Sequence, residues 1–328
     1  MNEEWGGAIL HYKLLPHLIS VMKKTIKHLY IIGNGFDLFI GLKSGYSDFK
    51  CWLENKYLTV YENMQNAYDM DGEWWNDFEV QLGKLDVKTY INKFTPSEKT
   101  EAELLRELEE RKNSKEKYDL LQHFQVATPC ANRLRGLLDI LQYCFEKWVE
   151  DCQRSIPIKG MLPIEKENSF FINFNYTDVL QQLYKIPEEQ VLHIHGRASK
   201  HERLVFGHNT HLYEGGYSDE DKTRFELACF EKNPYEYIYK HIELYDDLKD
   251  VEHVHVYGFS FSEVDEDYVD WIYNHVPVDS HWEISWHTSK DLKRIASFIE
   301  VYSGLNERIK LVRLNHISDT PGSLMNLL

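Results

Sequence analysis

The sequence predicts an α/β fold, a parallel sheet whose strands alternate with helices and which is interrupted after its first strand by a large helical insertion. Three observations carry this expectation. A short apolar, β-branched run, His28-Leu29-Tyr30-Ile31-Ile32, stops abruptly at Gly33-Asn34-Gly35. From Ser169 onward, strand-length apolar runs alternate with helical patterns, which argues for a parallel sheet. Between these two regions, residues 38–168 carry long helical patterning.

The elements follow in order. Residues 27–33 predict a buried first strand. Ser44-Gly45-Tyr46-Ser47-Asp48-Phe49 predicts a loop and helix cap leading into Phe49, Trp52, Leu53 and Tyr57. Glu73-Trp74-Trp75-Asn76-Asp77-Phe78-Glu79 opens another amphipathic helix, whose aromatics are expected in a core or an interface. Residues 97–119 are almost all charged and predict a solvated helix or its approach. Residues 131–154 predict a helix with Leu134, Leu137, Leu138, Leu141, Phe145 and Trp148 on its apolar side. Then come strand 169–174, helix 177–185, strand 190–195, helical residues 219–248, strand 252–257, helix 264–275, strand 282–287, helix 289–303 and strand 309–314. Residues 1–21 are expected to be an extension outside the fold, with residues 22–328 forming a single domain.

Composition narrows the function. The 37 basic and 53 acidic residues give a formal charge of −16, a field that repels phosphate backbones and argues against non-specific nucleic-acid binding. No apolar run approaches the roughly 20 residues needed to span a bilayer. The five cysteines are scattered, with no CxxC pair, so reduced thiols in a cytoplasmic protein are expected.

The chemistry is expected at the carboxyl ends of the strands, where open parallel sheets bind ligands. Gly33, Asn34, Gly35, Asp37, Asn175, Asp178, His195, Gly258 and Ser260 all fall at such ends and are expected to converge on one crevice. Glycine turns offer backbone N–H groups to a pyrophosphate. An asparagine amide suits a ribose hydroxyl or a water. A histidine near neutrality suits a general base. Together they suit cleavage of an N-glycosidic bond on a nucleotide, which passes through an oxocarbenium-like state. His193 shares the strand parity of His195, so both side chains are expected on one face.

Ile31-Ile32-Gly33-Asn34-Gly35-Phe36-Asp37-Leu38, Asn173-Phe174-Asn175-Tyr176-Thr177-Asp178, His193-Ile194-His195-Gly196 and Gly258-Phe259-Ser260-Phe261-Ser262-Glu263-Val264-Asp265 together resemble the AbiH family, bacterial proteins of abortive infection against phage. Their order is also similar to that of sirtuin-like domains, which implies a Rossmann-like sheet. It implies that Gly33 and Gly35 face the phosphates and that Asn34, Asp37 and Asp178 are among the ligand-binding residues. Asn175 would position ribose or water, His195 would be the base, and Gly258 with Ser260 would hold the second ribose. Position 34 is Asn where alanine is usual, the acid of the second motif is displaced by one residue, and a four-cysteine zinc site is lacking. The resemblance therefore implies hydrolysis of NAD to ADP-ribose and nicotinamide, with NAD as substrate, no further cofactor and no metal. A phage-derived trigger and a homo-oligomer are expected partners. Two other readings stay open: a nucleotide-binding sensor that does not cleave, and a metal-dependent nuclease using His193, His195 and His208.

Overall fold

The computed structural model describes residues 25–70, 73–94, 130–156, 162–302 and 304–317. The proposed extension at 1–21 and the charged segment at 97–119 lie outside the described residues.

Six strands form one all-parallel sheet: β1 (His28–Ile32), β2 (Ser169–Asn173), β3 (Val191–His193), β4 (His253–Tyr257), β5 (His281–Ser285) and β6 (Ile309–Val312). Their spatial order is β3-β2-β1-β4-β5-β6. This is the doubly wound, Rossmann-like order, which reverses direction between the first strand and the fourth. The α/β class expected from the sequence is the observed one. Register places Ile32 beside Asn173 and Tyr257, and Asn173 beside His193. The residues that follow these four therefore emerge at one edge.

Twelve α-helices occur among the described residues. They are α1 (Asn34–Phe39), α2 (Tyr46–Lys56), α3 (Leu58–Ala67), α4 (Phe78–Leu82), α5 (Val87–Phe94), α6 (Cys130–Gln153), α7 (Val179–Gln182), α8 (Asp219–Ala228), α9 (Pro234–Lys240), α10 (Ile242–Asp246), α11 (Glu266–His275) and α12 (Ser289–Val301). None of the helices is long and apolar enough to cross a membrane. The chain separates into two compact units, the first drawn from residues 1–45, 149–205 and 233–328 and the second from 46–148 and 206–232.

In the first unit, alternate strand residues sort onto two faces. Leu29, Ile31, Phe170, Ile172, Val254, Val256, Trp282 and Ile284 join Tyr268, Val269 and Ile272 of α11 and Ile295, Phe298 and Ile299 of α12 in one buried cluster. The opposite face mixes buried apolar and aromatic residues (Tyr30, Ile32, Phe171) with polar ones. His28, His253 and His281 stand in one row across β1, β4 and β5. His28 stacks on both His253 and His255, and His255 stacks in turn on Tyr30 at 4.4 Å between centroids. Glu283 lies beside them, accepting from Tyr257 and from Lys310 Nζ.

The second unit is helical and aromatic. Phe49 packs within about 5–6 Å of Trp52, Trp75, Phe78, Phe145 and Trp148, measured between ring centroids. Phe206 packs on Phe78 and Phe145. Within this unit the Lys232 side chain is 1% exposed and its Nζ lies 2.9 Å from Glu79 Oε1.

Candidate functional site

The turn after β1 and the turn after β4 lie backbone against backbone. Gly33 N–H donates to Tyr257 C=O at 3.0 Å, and Gly35 N–H donates to Gly258 C=O at 2.8 Å. A Cβ on Gly33 would stand 2.6 Å from the Gly258 oxygen. Gly258 has φ +67°, and a Cβ there would meet Phe36 N at 2.0 Å. These glycines thus serve close approach of two chain segments, and two of their N–H groups are spent on it. The Gly258 N–H is held in turn by Ser285 Oγ at 2.8 Å. Asn34 turns to Ser44 with both ends of its amide, donating to the carbonyl and accepting from the hydroxyl. Ser260 is exposed on the β4 loop.

Asp37, in the first turn of α1, is 1% exposed. Its Oδ1 accepts from Asn175 Nδ2 at 2.9 Å and its Oδ2 from Thr177 Oγ1. Burial pushes its carboxyl up to about 7, against the opposing effect of those two bonds. Asn175, 4% exposed, donates its other amide hydrogen to Gly33 C=O at 3.1 Å. Its own N–H is held by Asn173 Oδ1 at 3.0 Å. Asp178 is engaged elsewhere: it pairs with Arg197 Nε and accepts from Gln153 Nε2 at 3.1 Å. Arg197 also grips Glu188.

His195 is 2% exposed. Its ring lies edge-on to Phe174 and Tyr268, with centroids at 5.4 and 6.1 Å, and is tilted against Tyr176. Its Nε2 stands 3.2 Å from Asp265 Oδ1, though out of line for a hydrogen bond. Asp265 precedes α11 at the N-cap position without capping it by its side chain. The segment after β4 therefore reaches the residues after β3. His193 departs from the expected parity. β3 ends at His193, so the alternation does not carry through to His195. The His193 Nδ1–H donates to Asn175 C=O at 3.1 Å, while Nε2 accepts from Gln181 in α7 at 2.9 Å. Burial pulls its imidazole down to about 4, as a neutral ring with both nitrogens committed requires.

The structure thus brings together Gly33, Gly35 and Gly258 in one contact, and Asp37, Asn175 and Gly33 in another. His195 lies against the neighbours of Asn175 on either side. Asn34, Asp178 and Ser260 make their contacts apart from these. Sequence reasoning assigned no role to Thr177, Arg197 or Gln153 and no chemical role to Asp265. For Asp265 the available signal was an acid closing a strand-end motif. For Arg197 it was a cation two residues after His195.

A sequence model of the family described as bacteriophage abortive infection AbiH matches residues 29–286, which includes every motif named above. The chain belongs to the AbiH family. No curated protein matches it. The described AbiH site has no group of three or more His, Cys, Asp or Glu side chains arranged to hold a metal ion. His208, in the second unit, has both ring nitrogens engaged, by Leu227 C=O and Thr210 N–H.

Proposed function

We propose that this AbiH protein acts in phage defence by hydrolysing NAD to ADP-ribose and nicotinamide. The observation that supports this reading is the pairing of His195 with Asp265 beside Asn175, at the carboxyl edge of a doubly wound sheet. In the reaction the C1′–N bond to nicotinamide breaks and its electron pair leaves with the neutral base. Water held by Asn175 forms the new C1′–O bond, and His195 takes the proton that water gives up. Asp265 then stabilises the imidazolium, as a carboxylate orienting a base does.

A second reading, a sensor that binds the dinucleotide without cleaving it, is favoured by one feature. His195 is 2% exposed and the Gly33 and Gly35 N–H groups are already taken. The same closure suits an enzyme held latent until a phage-derived trigger or a second copy of the chain opens it.

NAD consumption by purified wild type, His195→Ala and Asn175→Ala, with products resolved by chromatography, separates the two. Nicotinamide and ADP-ribose from wild type alone support the hydrolase. Full turnover by either variant removes these residues from their roles. Thermal stabilisation by NAD in wild type and His195→Ala alike, with no product, supports the sensor.

A further inference from the structure

We propose that Asp37 is a positioning residue that locks the side-chain amide of Asn175, so that Asn175 meets its ligand as a hydrogen-bond acceptor and never as a donor. An asparagine amide carries two N–H donors and one carbonyl acceptor. Here one N–H goes to Gly33 C=O and the other to Asp37 Oδ1. A flipped amide would set its oxygen against the Gly33 carbonyl, which has no hydrogen to give. That carbonyl is fixed at the end of β1, where it also accepts from Phe36 N–H at 2.9 Å. Asp37 closes the second side, held in place by Thr177. Both donors being spent, Asn175 keeps only its Oδ1, which accepts from no group among the described residues.

The ligand group it meets must therefore bring the hydrogen. A ribose hydroxyl or an attacking water does so; a phosphate or carboxylate oxygen does not, so Asn175 takes no part in anion recognition. Burial favours the neutral form of Asp37, and either protonation state can accept at Oδ1. The acceptor, not the charge, is what the site requires of position 37. The choice of NAD rests on the reading above, whereas the lock on Asn175 does not.

The experiment uses the full chain with Asp37→Asn and Asp37→Leu, and reads two things. One is hydrogen exchange of the Asn175 side-chain amide in asparagine-labelled protein, its signal assigned by loss in Asn175→Ala. The other is kcat and KM for NAD. Asp37→Asn can still offer an oxygen to Asn175, so it keeps the amide protected and restores most of the turnover. Asp37→Leu fills the space without an acceptor. Its Asn175 amide exchanges at least about tenfold faster, and kcat falls on the order of 100-fold with KM little changed. Asp37→Ser, too short to reach Asn175, replaces Asp37→Leu should the latter fail to fold. Unchanged protection of Asn175 in Asp37→Leu overturns the proposal, as does an Asp37→Asn protein that behaves like Asp37→Leu. If wild type itself turns over no NAD, the proposed reaction fails and the exchange measurement alone decides the lock.

Discussion

Replacing Lys232 by Met strips the buried Glu79 carboxylate of the cation 2.9 Å away and should lower the unfolding free energy by about 3–5 kcal/mol. The double variant Glu79→Leu/Lys232→Met should regain most of that loss. Urea midpoints of the three proteins check this, and a Lys232→Met protein as stable as wild type would show that the pair contributes nothing. Gly258→Ala should be harsher than the about 1–2 kcal/mol of a left-handed non-glycine residue, because its Cβ would also meet Phe36 N at 2.0 Å. Little folded protein is the expected outcome, and wild-type yield with an unchanged melting temperature would refute it. At these positions the sequence displayed residue types but not their partners. The strand-end glycines were legible; that they press on each other was not, since Gly35 and Gly258 are far apart in the chain. Asp37 was expected to face a ligand, yet it faces Asn175 and Thr177, 138 and 140 residues downstream.

The start of helix α12 is written in its local sequence. Thr288 Oγ1 accepts from Asp291 N–H while Asp291 accepts from Thr288 N–H, a reciprocal capping box. Thr288→Ala should destabilise by about 1 kcal/mol, seen as a small fall in melting temperature with the sheet spectrum unchanged. A null effect would mean that packing of Ile295, Phe298 and Ile299 alone sets this helix. The strands were legible because short apolar, β-branched runs and the stops after Ile32 and Tyr257 are local signals. Long-range contacts decided the rest. The expected helix at 177–185 is the single turn of α7, and Asp178 is drawn to Arg197 and Gln153. The helical stretch expected at 219–248 consists of α8, α9 and α10, with Asn233 capping and Pro234 opening the second. β3 stops short of His195, whose carbonyl instead accepts from Val205 N–H at 2.8 Å.

Acid should act on the folded chain through its buried histidines. His28 and His253 are held below the ordinary imidazole value, first by burial and then by their histidine neighbours, and His193 is held at about 4. As pH falls through about 6.5, the unfolded chain takes up protons that these rings in the folded protein refuse, so stability is full above that range and declines toward pH 4. Asp37 acts with the opposite sign: its raised value favours the fold at low pH and loses that contribution as pH rises through about 7. The two effects oppose each other between about pH 7 and 5. With the carboxyl removed in Asp37→Asn, melting temperature should drop between pH 7.5 and 5, and adding His28→Gln/His253→Gln should flatten the upper part of that fall; a flat Asp37→Asn profile would contradict the assignment. The sheet order has a consequence of another kind, in time. β1 is synthesised first yet sits at the centre, and the bond from Lys27 to Glu252 spans 225 residues. At a ribosomal pace of roughly 5–20 residues per second, β4 follows β1 by roughly 10–45 seconds. For that interval the strand that carries the glycine turn lacks its second neighbour, so a nascent or prematurely ended chain exposes an apolar edge that the finished protein never shows.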